Sequence, residues 1–391
     1  MPAFVARRPD SPRMRVLVVL SSSNQMYSGI GRAVFELASR MAGRVDFEFA
    51  IDDLNPRNTD LVARFGREQG MPVHVGPGRR EPDALDHLNA ALPGLLERGR
   101  WDAVECVCFA NAATNGALLE SLDDRVTLAY TPHDQPTWTV PMTPSEAARL
   151  ESVHCQILAR SDAVFCDSPR EKELLQALVP GRNHCIHVPL GCDFRGFRAG
   201  NPQRRDQLLF VGDLAEPRKR FDRVLAVFAR LIRARPQLRL IVVGNKSDAS
   251  RELIPRDLRH AVDLRGYISE EELRRTYPES AGLLLLSDFE AFGIPILEAL
   301  ACGTPVFLSR QEATQSLFGG FRAAHFCPAD DPDATADVVA RTLARGRHAV
   351  AEALADRRRL QAAFDWDVLA HRKWQALAAA WFRRNCWAVP A

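Results

Sequence analysis

The chain has 391 residues, 46% of them hydrophobic and 26% charged, which are the proportions of a globular protein and not of a disordered or collagenous one. That length is too great for one ordinary hydrophobic core and sufficient for two. A formal net charge of +2 gives no reason to expect a nucleic-acid partner. Residues 1–13 hold Arg7, Arg8, Pro9 and Pro12 without a long apolar segment, the pattern of a disordered leader and not of a secretory signal. A buried strand is predicted over 16–20. A helix is predicted over 31–42, with Val34, Leu37, Ala38 and Met41 on one face. Strands follow at 47–51, 104–109, 126–130, 163–166 and 184–188. The segment 196–207, rich in Arg, Gly and polar residues, is a linker. A second strand series then begins, at 208–211, 238–243, around Leu264, 282–286 and 305–308, with helices between the strands.

This alternation predicts two doubly wound α/β domains, over 14–195 and 208–365, facing across a cleft. Ligands of such sheets bind at the carboxyl ends of the strands. Residues 366–391 carry a last helix, 368–382, with an apolar face and with Trp374 and Trp381 seven apart. Its Trp381-Phe382-Arg383-Arg384 end, with Trp387, also suits a peripheral contact with a membrane surface. No window approaches the ~18 apolar residues of a membrane span. The nine cysteines are odd in number and contain no Cys-x-x-Cys; Cys106 and Cys108 sit in a strand-like run. Free thiols in a reducing cytoplasm are the expectation, the inner membrane face being where a lipid contact would place the chain.

The densest chemistry lies where strand 282–286 runs into Ser287-Asp288-Phe289-Glu290-Ala291-Phe292-Gly293-Ile294-Pro295-Ile296-Leu297-Glu298-Ala299-Leu300-Ala301-Cys302-Gly303-Thr304-Pro305. A helix is predicted to start at Pro295, because proline suits the first helical position, and to stop at Gly303 and Pro305. The N–H groups of Phe292, Gly293 and Ile294 then lie at the free N-terminal end, which attracts phosphate. Glu290 precedes that end and Glu298 lies one turn inside. A nucleotide sugar, with hydroxyls on both sides of a diphosphate, fits this order.

The run resembles the Glu-x7-Glu signature of retaining glycosyltransferases of the GT-B fold, glycosyltransferase family 4. The family's wording is Glu-Gly-Phe-Gly-Leu-Pro, Leu-Glu-Ala-Met-Ala and Gly-Thr-Pro-Val, and Ala291 replaces the first glycine. Three further segments match in the same order. Met14-Arg15-Val16-Leu17-Val18-Val19 with Gly29-Ile30-Gly31-Arg32 resembles the first strand and glycine loop. Thr131-Pro132-His133-Asp134 resembles the His-Asp motif. Leu208-Leu209-Phe210-Val211-Gly212-Asp213-Leu214-Ala215-Glu216-Pro217-Arg218-Lys219-Arg220-Phe221-Asp222 resembles the strand, phosphate loop and lysine. The resemblance spans roughly 14–380.

The resemblance implies roles that compete with plainer ones. Glu298 would accept hydrogen bonds from the ribose hydroxyls, against a first-turn glutamate favoured by the helix dipole. Glu290 would face the donor sugar, against a solvated loop carboxylate. Lys219 and Arg218 would bind the diphosphate, with Gly212 before them, against a solvated charge run. Gly29 and Gly31 would let backbone approach phosphate, against an ordinary turn. His133 would contact the donor sugar and Asp134 the acceptor. Ile268, in Gly266-Tyr267-Ile268, matches a loop that touches the base. Where the family usually has arginine after Gly212, this chain has Asp213. Either Arg218 or Arg220 takes over its contact, or the donor sits differently, or donor binding is weak. Ser168 with Glu171 and Ser269 with Glu272 read as helix caps and carry no catalytic role. Asp365-Trp366-Asp367 lies away from these motifs, no ligand cluster supports a metal, and no cofactor is expected beyond the nucleotide-sugar co-substrate.

The expected activity is therefore retaining transfer of a sugar from a nucleotide diphosphate to a hydroxyl of a saccharide, a lipid-linked glycan or a small natural product. A nucleotide-sugar epimerase of the same fold and a non-catalytic binding protein descended from a transferase are the rivals. A nicotinamide dehydrogenase is poorly supported, because Gly29-Ile30-Gly31 lacks the third fingerprint glycine.

Overall fold

The computed structural model describes residues 13–20, 29–51, 56–76, 84–107, 118–133, 143–199, 205–214, 216–244 and 251–386. The chain divides into two compact units, one made of Met1–Cys166, Lys172–Val188 and Ala370–Ala391, the other of Asp167–Glu171 and Pro189–Leu369.

The first unit is built on a seven-stranded parallel sheet, β1 Met14–Leu20, β2 Val45–Ile51, β3 Val73–Val75, β4 Ala103–Val107, β5 Thr127–Thr131, β6 Ala163–Cys166 and β7 Cys185–His187, in the order β3-β2-β1-β4-β5-β6-β7. Its helices are α1 Gly29–Met41, α2 Pro56–Gln69, α3 Ala84–Arg98, α4 Pro144–Arg160 and, from Lys172 on, α5 Pro169–Leu178. The central strands read as continuous apolar runs because parallel strands are covered on both faces. In α1 the predicted face, Val34, Leu37, Ala38 and Met41, is buried, and Phe35 joins it to stack against Phe49 and Phe65.

The second unit has a six-stranded parallel sheet, β8 Gln207–Val211, β9 Arg239–Val243, β10 Val262–Gly266, β11 Gly282–Leu285, β12 Val306–Ser309 and β13 Ala324–Cys327, ordered β10-β9-β8-β11-β12-β13. Between them run α6 Phe221–Ala234, α7 Glu270–Glu279, α8 Ile294–Ala301, α9 Glu312–Phe318, α10 Pro332–Ala344, α11 Arg347–Ala355 and α12 Arg357–Phe364. Strand order reverses between β8 and β11, which places the crevice of a doubly wound sheet at the carboxyl ends of those two strands. Phe292, Phe318 and Phe364 pack edge to face or tilted with centroids 5.6–5.9 Å apart and make a hydrophobic floor just beyond Glu290.

Edge strands β3 and β13 are not among the strands read from sequence. The first has three residues and both are half-buried, so neither carries a full apolar run.

The last helix, α13, runs Trp366–Cys386, longer than 368–382. Asp365 starts it early by accepting the Asp367 N–H at 2.9 Å, a capping role for the Asp-x-Asp. In the second unit Trp366 is fully buried, and a Cβ on Gly191 would come within 2.5 Å of its ring. From Ala370 on the helix belongs to the first unit. Its buried positions there are Ala370, Lys373, Leu377 and Ala380, while Trp374 and Trp381 flank that stripe half-exposed. A lysine, where an apolar residue was to be expected, anchors the face.

Candidate active site

The carboxyl ends of β8 and β11 bring together Lys219, Arg218 and Glu290. Pro217 opens a single 3-10 turn, Pro217–Lys219, and Arg220 closes it in the left-handed conformation, φ 46°. This tight turn sends two consecutive cations back over the sheet edge. A Cβ on Gly212 would crowd the Phe210 ring at 3.2 Å and make only an ordinary contact with Lys219 Cδ at 3.6 Å. Gly244, at the end of β9, has φ 149°, and a Cβ on it would lie 1.8 Å from the Gly212 carbonyl, so only glycine fits.

Lys219 Nζ donates to both oxygens of Glu290, at 2.8 and 3.0 Å. Arg218 lies 3.6 Å from Glu290 Oε2 and 2.7 Å from Glu216 Oε2, and donates to the Phe289 carbonyl at 3.1 Å. Ser287 Oγ donates to Glu290 Oε1 at 2.7 Å. Glu290 is buried, not a solvated loop carboxylate. Burial works to raise its pKa, but the charges of Lys219 and Arg218 and the bonds from Lys219 and Ser287 hold it below the ordinary value. The loop itself is fixed by Gln311, which accepts the Glu290 N–H at 2.7 Å and donates to the Ser287 carbonyl at 2.6 Å. Sequence reasoning missed Gln311, which is twenty-one residues away and marked by no local pattern.

The helix after this loop begins at Ile294, one residue before the predicted start at Pro295. Gly293 is its N-cap with φ 84°, a conformation that costs glycine nothing, and it moves Pro295 to the second helical position. Among the described residues, no hydrogen bond accepts the N–H of Phe292, Gly293 or Ile294. Three consecutive donors and the positive end of α8 are thus available to an anion. Inside the helix Glu298 is buried, and the Tyr277 hydroxyl donates to its Oε2 at 2.8 Å. Tyr277, another residue not singled out from sequence, fixes the rotation of that carboxylate.

Arg220 turns away from this cluster. It pairs with Asp222 at 2.8 Å and Asp288 at 3.2 Å, and Arg223 also holds Asp288, at 2.5 Å. Those contacts raise the Arg220 pKa further, chiefly through the Asp222 bond. Of the two cations that were to replace the family's arginine, Arg218 therefore stands at the cluster and Arg220 does not. Asp213 is half-exposed just after Gly212. Tyr267 is 72% exposed beside the half-buried Ile268, and partial burial, then the charges of Asp213 and Glu216, raise its pKa. Ser269 caps α7 by accepting the Glu272 N–H at 3.1 Å. Ser168 caps α5 by accepting the Glu171 N–H at 3.0 Å, while Glu171 takes the N–H of Asp167 instead of that of Ser168.

Gly29, Gly31 and His133 belong to the first unit. Gly29 opens α1 and Gly31 is buried in its first turn. His133 follows β5, buried, with φ 58°. A non-glycine residue in this conformation is strained and marks a constrained position. Asp134, Trp387, Cys108 and the leader 1–12 lie outside the described residues.

Two family models match the chain, Glycosyl transferase 4-like domain over residues 28–191 and Glycosyl transferases group 1 over 195–358. A phosphatidyl-myo-inositol mannosyltransferase of Mycobacterium tuberculosis is 30% identical over 379 residues, 91% of this chain and 94% of that protein. The chain belongs to the group 1 glycosyltransferases, family 4. Sucrose-phosphate synthase from Thermosynechococcus elongatus shares the fold with a TM-score of 0.78 at 19% identity, over 94% of this chain and 99% of that one. Anabaena HepE in complex with UDP-glucose does so with 0.75 at 14%, over 94% and 100%. The glycosyltransferase thus has the GT-B fold of two Rossmann-like domains, and the transferase reading stands over the epimerase and the non-catalytic protein.

Among the described residues of the glycosyltransferase, no helix is long and apolar enough to cross a membrane. No group of three or more His, Cys, Asp or Glu there could hold a metal ion. At the end of α13, Phe382 is 54% exposed, but Arg384 is used internally, 2.6 Å from Asp162 Oδ1.

Proposed function

We propose that this glycosyltransferase moves a hexose from a nucleoside diphosphate sugar to an acceptor hydroxyl with retention of anomeric configuration. The observation that carries the reading is the meeting of Lys219, Arg218 and Glu290 at the strand-order reversal, next to the three open N–H groups of Phe292, Gly293 and Ile294. The lysine, the arginine and the helix end supply fixed positive charge where the diphosphate leaves, which is usually the largest catalytic term. No divalent ion is needed in this reading. Glu290 faces the sugar and Glu298, oriented by Tyr277, takes the ribose hydroxyls. By the family resemblance, His133 is assigned to the donor sugar and Asp134 to the acceptor.

In the reaction, the acceptor oxygen attacks the anomeric carbon from the face that the diphosphate is leaving. The carbon–oxygen bond to phosphate breaks with its electron pair, and the acceptor proton passes to the departing phosphate oxygen. The products are a nucleoside diphosphate and a glycoside of unchanged configuration, and no protein nucleophile takes part. One relative is named as a phosphatidyl-myo-inositol mannosyltransferase and another, 28% identical over 220 residues, as GDP-mannose-dependent. GDP-mannose and an inositol lipid are therefore the first donor and acceptor to try, with UDP-glucose next.

The test is release of nucleoside diphosphate from a panel of nucleotide sugars, with and without EDTA, and proton NMR of the product's anomeric signal. Release that survives chelation and an anomeric configuration equal to the donor's are expected. An inverted product, or activity lost to EDTA and restored by magnesium or manganese, would overturn the retaining or the metal-independent part.

A further inference from the structure

We propose that Lys373, Glu105 and Thr131 form a buried positioning device for His133, by which the terminal helix sets the backbone at that residue. The proposal rests on the reading of His133 as a sugar-contacting residue.

Glu105 stands in the middle of β4, otherwise an apolar strand buried on both faces, where the ladder has no use for a carboxylate. Its Oε1 receives two donors, Lys373 Nζ at 2.5 Å and Thr131 Oγ1 at 2.6 Å. The lysine and glutamate side chains are 5% and 3% exposed, and the Phe165 ring lies 4.9 Å from the ammonium. Such a pair is a poor way to stabilise a fold, because well-packed apolar residues in its place are often as good or better. Its geometry points to a second task. Thr131 is the last residue of β5, and His133 follows two positions later with its strained φ of 58°. A strained residue persists only where its surroundings over-determine it. Pro132 between them has its φ locked by the ring, which leaves fewer free torsions between Thr131 and His133. Lys373, 268 positions from Glu105 in sequence, orients that carboxylate, and the carboxylate orients Thr131.

The experiment compares Thr131→Val, Thr131→Ser, the paired Lys373→Met/Glu105→Leu and His133→Ala with the wild type. Nucleoside diphosphate release from GDP-mannose and UDP-glucose is measured with thermal unfolding and the NMR signal of the His133 imidazole, assigned by its loss in His133→Ala. For Thr131→Val we expect kcat to fall about tenfold to a hundredfold, as for other small misplacements of a reacting group. Its donor KM and unfolding temperature stay close to wild type and the His133 signal shifts, while Thr131→Ser restores both kcat and the signal. The paired apolar variant folds, yet keeps the low kcat and the displaced signal. A wild-type kcat and an unmoved His133 signal in Thr131→Val, or recovery of both in the paired variant, would overturn the positioning role. A wild-type kcat in His133→Ala overturns the reading of His133 itself; a reduced kcat there beside an unaffected Thr131→Val overturns only the device.

Discussion

The two sheets solve different problems with the same residue types. Each has a lysine bound to a buried glutamate. At the second sheet the pair is Lys219–Glu290, surrounded by Arg218, Ser287 and the open N–H groups of α8, so its charges border a place where an anion can enter. At the first sheet the pair is Lys373–Glu105, closed in by Phe165 and Thr131, with side chains almost wholly covered. Both pairs are largely buried, at 12% and 7% against 5% and 3% exposed, but the first is displayed to open donors and the second is enclosed. A displayed pair can exchange partners with a ligand, whereas an enclosed one can only hold other groups in place.

The sharpest way to break this contrast is to remove each lysine. Lys219→Met leaves Glu290 short of its nearest cation and should cost the fold up to about 3–5 kcal/mol, the range for breaking a buried pair. It should also weaken GDP or UDP binding by roughly tenfold to a hundredfold, through loss of a charge-assisted contact of ~1.5–3 kcal/mol. Lys373→Met should show a comparable loss of stability with unchanged nucleoside diphosphate affinity. Isothermal calorimetry and denaturant unfolding separate the two quantities, and equal effects on affinity would erase the distinction.

Acid should next soften the units in different pH windows. His154 on α4 is buried with its Nδ1 2.9 Å from the Tyr130 hydroxyl, and burial pushes its pKa down to about 4. An unfolded histidine titrates near ~6.5. The folded value is the lower one, so this stability is complete above ~6.5 and is lost as pH falls toward 4, to the order of 3 kcal/mol. Glu290 also has a lowered pKa, but relative to an ordinary glutamate value near ~4.3, so the stability it lends the second unit is intact until pH falls below that. Hydrogen exchange followed by peptide mass spectrometry at pH 7, 5.5 and 4.5 should show protection falling first around β5 and α4. Loss in β8 and β11 at the same pH would contradict the assignment.

Within the second unit, Glu298→Gln tests whether the helix interior serves the ligand. The substitution keeps an acceptor for the Tyr277 hydroxyl but removes the charge offered to ribose. Nucleoside diphosphate binding should weaken by about 1.5–3 kcal/mol in a folded protein. Unchanged affinity would return Glu298 to a purely structural role.

Much of this arrangement was legible beforehand, for identifiable reasons. Parallel strands such as β1 and β11 are covered on both faces and so read as unbroken apolar runs, whereas β3 and β13 lie at sheet edges, half-buried, and leave no such trace. Glu290 and Glu298 stood out because a proline and a helix start fix them close together, and Lys219 because its segment resembles the family's phosphate loop. Tyr277, Gln311 and the Lys373–Glu105 pair did not, because their partners are distant in sequence and meet only when the sheets are assembled. The tryptophans of the last helix drew attention for their spacing, but the buried stripe runs through Lys373 instead.

The smallest expected effect concerns Asp213, the one place where the charge of the phosphate loop departs from the family pattern. Were Asp213 the organiser of Arg218, replacing it would loosen the arginine and weaken donor binding. Arg218 is, however, held by Glu216 at 2.7 Å, by the Phe289 carbonyl at 3.1 Å and by Glu290 at 3.6 Å. Those three contacts hold the guanidinium. Asp213 itself is half-exposed, so its charge acts on a nearby diphosphate through partly screened solvent. Asp213→Arg should accordingly tighten GDP or UDP binding severalfold, in line with the ~0.2–1 kcal/mol of an exposed ion pair. Asp213→Ala should fall between it and the wild type, and the gain should shrink as salt is raised from 50 to 500 mM. Weakened binding in Asp213→Arg, matched by Arg218→Ala, would restore the organising role. It would also show that the displayed site, like the enclosed one, depends on a carboxylate to hold its cation in place.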